Sequence, residues 1–206
     1  MHSEGNQNSQ RKKFGLVAVG ITGAVAIGLS VVSASFVTPA LRKICLPYVP
    51  ATSRQVGNVI KMCNRHRRSN SNVDKLIDLG SGDGRIVFEA AKNGYEALGV
   101  ELNFWLVVYS KIAARLKGLQ NKAKFQRKDL WTVDLSGYDK IIIFGVSEMM
   151  PTLKEKLERE MKYGCKVVAC RFPMPSWTPV TSLDEGIDSV WVYDSVNMPK
   201  KDKMKA

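Results

Sequence analysis

The chain has 206 residues, 45% of them hydrophobic and 24% charged, enough for one packed domain and a short extra segment. Lys and Arg (31) outnumber Asp and Glu (19), and the net charge of +12 points to an anionic partner surface, lipid in preference to nucleic acid. The histidines are His2 and His66, and the four cysteines (Cys45, Cys63, Cys165, Cys170) form no C-x-x-C pair. This excludes ordinary histidine acid–base catalysis, argues against a metal centre or a disulfide framework, and suits a reducing compartment.

Residues 1–13 are polar, end in Arg11-Lys12-Lys13, and read as a disordered basic tail. Residues 14–37 carry no charge, and this apolar stretch of about 24 residues is long enough to span a bilayer as a helix. Gly20 and Ala24 stand four apart, a spacing that allows close helix packing. An uncleaved transmembrane helix is the preferred reading. A targeting segment cleaved near Ser33-Ala34-Ser35 and a buried soluble helix are the alternatives. Seven basic residues follow the span before the first strand, against three preceding it, which puts the C-terminal domain on the matrix or cytosolic side.

Residues 38–72 read as a linker, irregular at Pro39, Pro47 and Pro50, followed by a helix. Thr52 or Ser53 caps that helix, which runs to Arg67 with Val56, Val59, Ile60 and Cys63 on one face. The domain proper is expected over residues 73–195, and residues 196–206 form a second basic tail.

The domain is organised around Lys75 to Gly84, K-L-I-D-L-G-S-G-D-G. A short apolar strand ends in Gly80, Gly82 and Gly84, and a helix starts at Arg85. Such a turn lets backbone N–H groups approach a ligand that a Cβ would keep away. Arg85 stands where the dinucleotide fingerprint G-x-G-x-x-G needs its third glycine, and Asp78 at the strand end would repel a pyrophosphate. Both features disfavour a nicotinamide oxidoreductase. A second strand, Ala97 to Val100, ends in Glu101, placed to accept both ribose hydroxyls. An amino group, a ribose and no phosphate together describe S-adenosylmethionine.

Downstream, Asn103 to Lys117 reads as a helix stopped by Gly118, with Trp105 packed under a neighbour. Strands follow at Ala123–Gln126, Ile141–Phe144 and Lys166–Cys170, with a helix from about Glu148 to Lys162 between the last two. Val180–Leu183 and Ser189–Tyr193, divided by Asp184-Glu185-Gly186, read as a closing hairpin. Helices alternating with strands predict an α/β, Rossmann-like, mostly parallel seven-strand sheet with a terminal antiparallel hairpin.

The motifs D-L-G-S-G-D-G and V-E-L-N resemble those of the seven-strand S-adenosylmethionine-dependent methyltransferases. F-V-T-P-A-L-R-K, Y-V-P-A-T, E-L-N-F-W-L-V-V-Y-S, D-L-W, I-F-G-V and V-V-A-C-R-F-P extend the resemblance to a small mitochondrial group of protein-lysine methyltransferases, over about residues 34–194. That group modifies the ATP synthase c-subunit and the adenine nucleotide translocase, and the former is the closer likeness. The resemblance implies an enzyme of the mitochondrial inner membrane with its catalytic domain on the matrix side and a protein substrate rather than a nucleic acid. It also implies that Asp78, Gly80, Gly82 and Glu101 bind cofactor and that Asp129 accepts the adenine amino group. Thr52 becomes a candidate cofactor contact beside its role as a cap.

After the fourth strand this class presents its acceptor, and Gly145-Val146-Ser147-Glu148 lacks the Asn/Asp-Pro-Pro-Tyr that grips planar amides. A flexible alkylamine remains, and Glu148 is the candidate to attract a lysine ammonium, or else simply the start of a helix. Phe172 and Trp177 are candidate walls of a lysine channel, or lid packing. A non-enzymatic membrane-tethered scaffold and an RNA methyltransferase are the competing readings, the latter resting on charge alone.

Overall fold

The computed structural model describes residues 3–37, 49–67, 73–183 and 186–197. Pro39 and Pro47 of the linker, the Asp184-Glu185 turn and positions 198–206 of the basic tail lie outside the described residues.

Helix α1 (Ser3–Val37) is continuous. The stretch expected as a disordered tail is therefore helical from Ser3 onward. Gln7, Gln10, Arg11, Lys12 and Lys13 are good helix formers, and extending an established helix avoids the nucleation cost. Within α1, Phe14–Val31 is apolar and long enough to cross a membrane, and none of it is buried against the rest of the chain.

Helix α2 (Ser53–Arg65) begins where Thr52 Oγ1 accepts the Gln55 N–H at 3.0 Å. Thr52 also donates its hydroxyl to Asp188 Oδ1 at 2.5 Å, so this residue is a cap and a tether to the C-terminal hairpin. Val59, Ile60, Met62 and Cys63 are buried along its inner face. Strands β1 (Lys75–Leu79), β2 (Glu96–Glu101), β3 (Ala123–Arg127), β4 (Lys140–Phe144) and β5 (Lys166–Cys170) are parallel. Strand β7 (Val190–Asp194) runs antiparallel to β5, and β6 (Thr181–Leu183) antiparallel to β7. The order across the sheet is β3-β2-β1-β4-β5-β7-β6, the expected architecture.

Side chains alternate across the sheet, as period two requires. Leu76, Ile142, Val168 and Cys170 join one core with α2, α3 (Arg85–Lys92) and α4 (Phe104–Leu116). Ile77, Ile141, Ile143, Val167 and Ala169 join the other with α5 (Met150–Glu160). Cys63 and Cys165 are fully buried, and that burial pushes both thiols up to about 12, the behaviour of small apolar core residues.

Gly99 shows how tightly β2, β3 and the glycine turn meet. A Cβ there would stand 2.6 Å from Ser81 Oγ and 2.8 Å from the Phe125 ring. Gly99→Ala should therefore displace the turn and destabilise the fold by about 2 kcal/mol, lowering the melting temperature by roughly 5 °C. An unchanged melting curve would contradict this packing.

Candidate functional site

Register places the site. Leu79 pairs with Val100 on one side and Ile143 on the other, so the carboxyl ends of β1, β2 and β4 share one edge. Strand order reverses between β1 and β4, which opens a crevice at that edge.

The turn Gly80–Gly84 lies along this crevice. Gly80, Gly82 and Gly84 take φ of 81°, 53° and 82°, a left-handed region that costs an L-residue with a Cβ about 1 kcal/mol or more. Gly80 and Ser81 both donate their N–H groups to the Val100 carbonyl, at 2.9 and 3.0 Å. Glu101 holds the next amide: its Oε2 accepts the Gly82 N–H at 3.0 Å and its Oε1 accepts the Asn103 N–H at 2.8 Å. The end of β2 thus fixes both the turn and the carboxylate that faces it. A carboxylate has about four acceptor positions, so Glu101 retains capacity for a diol.

Asp78 closes the inner end. It is 2% exposed, and its Oδ1 has no hydrogen-bond partner among the described residues. Burial, then the charges of Glu101 and Asp83, push its carboxyl up to about 7. A buried, unpartnered carboxylate oxygen is costly unless a donor or cation meets it. Ser81 Oγ, in the glycine turn, is also buried without a partner among the described residues. These orphan acceptors, with Glu101 behind the glycine turn, fit a ligand with an ammonium group and a ribose.

Arg85, the residue that breaks the dinucleotide pattern, makes a clasp. Its Nε donates to Asp83 Oδ1 at 2.9 Å and its Nη1 donates to the Ala51 carbonyl. The segment leading into α2 is thereby tied to the glycine turn. Neither this clasp nor the role of Asn103 emerges from the sequence alone. For Asn103 a signal exists: Asn two places after the acid is a strong helix cap, and its Oδ1 accepts the Trp105 N–H at 2.9 Å.

Asp129 follows β3 on the same side of the sheet, half-buried, and caps a 3-10 turn through the Trp131 N–H at 3.1 Å. Glu148 is exposed in the 3-10 turn Ser147–Met149, just past β4 and ahead of α5. Trp177 is committed elsewhere: its ring meets Tyr193 edge-on at 5.6 Å and its indole N–H donates to Glu158. Phe172 is half-buried against the second core, as is Trp177. Trp105 is 37% exposed and stands edge-on to Phe104, contrary to the expectation that it packs beneath a helix. The inner positions of α4 belong instead to Leu106, Val107, Ser110, Ala113 and Ala114.

An RNA methyltransferase from Salinibacter ruber, crystallised with S-adenosyl-L-homocysteine, shares this fold with a TM-score of 0.67 and 27% identity. The match covers 74% of this chain and 98% of that one. Fold and site together define a seven-strand methyltransferase of the S-adenosylmethionine-dependent class. Residues 78–181 match the model of the ANTKMT methyltransferase domain, and residues 11–42 match the N-terminal domain of the ATP synthase c-subunit lysine N-methyltransferases. The chain is 50% identical over 189 residues to the ATP synthase c-subunit lysine N-methyltransferase of Mus musculus, covering 92% of this chain and 74% of the relative. It is 38% identical over 192 residues to adenine nucleotide translocase lysine N-methyltransferase of the same species, covering 90% of this chain and 81% of that one. The chain belongs to the ANTKMT methyltransferase family and is a protein-lysine methyltransferase.

Proposed function

We propose that this chain is a membrane-anchored lysine N-methyltransferase of the mitochondrial inner membrane, acting on the ATP synthase c-subunit from the matrix side. The site rests on one observation above the others, the pairing of buried Asp78 with a Glu101 fixed by the Gly82 and Asn103 amides. The substrate rests on the c-subunit enzymes at about half identity and on the match of residues 11–42 to their N-terminal domain. The translocase is the second reading, carried by the more distant relative.

In this reading Asp78 receives the cofactor's ammonium group, Gly80 and Gly82 let the amino-acid moiety approach the backbone, and Glu101 accepts the ribose hydroxyls. Asp129 accepts the adenine amino group. S-adenosylmethionine supplies a methyl carbon made electrophilic by its sulfonium. The protein aligns a neutral amine with that carbon and keeps water out. Glu148, exposed past β4, draws the lysine ammonium toward the crevice, and the amine gives its proton to solvent on entry. An anchored enzyme meets a membrane-embedded substrate at raised effective concentration. Residues 14–37 as anchor, 38–72 as linker and 73–195 as methyltransferase domain complete the proposed organisation.

Asp78 gives the site a pH signature. Its folded-state value near 7 lies above the ordinary 3.8, so the ligand-free fold takes up a proton between those values. The stability this proton contributes is complete below about pH 4 and is lost as pH rises through about 7, on the order of 4 kcal/mol. Asp78→Asn should flatten that part of the stability–pH curve. Cofactor binding at pH 6 should also release close to one proton, read from calorimetry in buffers of different ionisation enthalpy. Equal proton release by wild type and Asp78→Asn would remove Asp78 from the site.

Calorimetry of the folded chain with S-adenosylmethionine and with NADH tests the pocket itself. Binding of the first and not the second is expected. Binding of NADH alone would sink this reading.

A further inference from the structure

Helix α4 presents two faces. Leu106, Val107, Ser110, Ala113 and Ala114 are buried, while Trp105, Tyr109, Ile112 and Leu116 form an outward stripe at helical spacing. Their exposures are 37%, 58%, 51% and 84%, and Phe104 beside them is 46% exposed. An aromatic and aliphatic stripe of this kind on a domain surface marks a contact site.

Charge identifies what it contacts. Between Glu101 and Asp129 the sequence has no acidic residue, and it carries Lys111, Arg115, Lys117, Lys122, Lys124, Arg127 and Lys128. All seven are exposed, on α4, on the following turn, and on and just past the edge strand β3. Arg127 additionally lies over the Phe104 ring at 5.9 Å, joining the basic rim to the apolar stripe. A second copy of this face would repel the first. Helix α1 approaches α4 yet leaves the stripe exposed.

We propose that α4 and β3 dock the domain on an anionic lipid surface, with Trp105, Tyr109, Ile112 and Leu116 entering the interface and the basic residues meeting lipid headgroups. Aromatic and aliphatic side chains on one face with lysines and arginines around them are the composition of an interfacial helix. Each basic side chain near such a surface adds attraction, so the basic residues around the stripe favour anionic over zwitterionic lipid. Asn103 caps α4 and holds Glu101, so docking α4 brings the cofactor-facing acid to the membrane surface. This extends the anchored-enzyme reading by fixing which side of the domain faces the bilayer, although the docking contact itself does not require α1.

The test uses the full chain in vesicles with brominated acyl chains, of phosphatidylcholine alone or mixed with phosphatidylglycerol. Flotation with the vesicles reports the anchor. Trp105 emission, taken as the difference between wild type and Trp105→Phe, reports docking. Trp105 should lose about half its emission in the mixed vesicles and less in phosphatidylcholine. A variant with Lys111, Arg115, Lys122 and Lys124 all changed to Gln should still float and should lose the extra quenching. Quenching in mixed vesicles without flotation in phosphatidylcholine would support docking and remove the anchor. Floating protein with unquenched Trp105 in both lipids would overturn docking and leave the anchor. A Trp105 that ignores vesicles but responds to an RNA duplex would likewise overturn it, making the face a nucleic-acid surface.

Discussion

Glu101→Ala is expected to weaken S-adenosylmethionine binding by at least a hundredfold. In the proposed complex Glu101 accepts two ribose hydroxyls, and hydrogen bonds to a charged group contribute about 1.5–3 kcal/mol each. Two such bonds correspond to roughly 3 kcal/mol or more, which is over two decades in Kd. The variant also frees the Gly82 and Asn103 amides that Glu101 now holds, loosening the turn and the start of α4 together. Because Glu101 is only half-buried, water can satisfy those amides and the fold should survive. Glu101→Gln keeps one acceptor oxygen and should fall between the two. Calorimetry measures all three proteins, with circular dichroism confirming that each is folded. A loss smaller than tenfold in a folded Glu101→Ala protein would mean that the ribose is held elsewhere.

Asp74→Ala is expected to cost the fold about 3–5 kcal/mol, the largest stability effect foreseen here. Lys140 opens β4 yet is 0% exposed, with Asp74 3% exposed and their charged atoms 3.7 Å apart. Lys140 Nζ donates to the His66 carbonyl at 2.6 Å. Burial lowers the Lys140 pKa, and the Asp74 carboxylate opposes that shift. Removing Asp74 leaves the ammonium buried with a carbonyl and no counter-charge. The melting temperature should fall by roughly 10 °C. The double variant Asp74→Leu with Lys140→Met should recover most of the loss, since apolar replacement of a buried pair is often neutral. If the double variant were as unstable as Asp74→Ala, the pair would matter for something other than its buried charge.

That pair shows where local sequence pattern stops being informative. A lysine at the first position of a strand reads as solvent-facing, because nothing local reveals that the end of α2 will cover it. The β-rich core was legible for the opposite reason. Ile141-Ile142-Ile143 and Val167-Val168-Ala169-Cys170 are apolar on both faces, which only a buried strand tolerates. The glycine turn was legible because three glycines at alternate places answer a backbone requirement that the φ values bear out. Asp78 was legible as a strand-end acid, whereas its buried, unpartnered oxygen depends on tertiary packing around the end of β1 that no local pattern reveals. In α4 the apolar residues run almost all round the helix, so periodicity left Ile112 unassigned and put Trp105 under a neighbour. Only the position of the sheet decides that both face outward. The clasp from Arg85 to Ala51 joins residues 34 apart, beyond the reach of any local pattern.

Methyl transfer to the c-subunit is the most direct test of the proposed function. The full chain, in membranes, is supplied with S-adenosylmethionine and with either ATP synthase c-subunit or adenine nucleotide translocase, and the products are mapped by mass spectrometry. Methylation of a c-subunit lysine is expected, absent from the translocase and lost in Glu101→Ala. Methylation of the translocase with an unmodified c-subunit would contradict the substrate assignment.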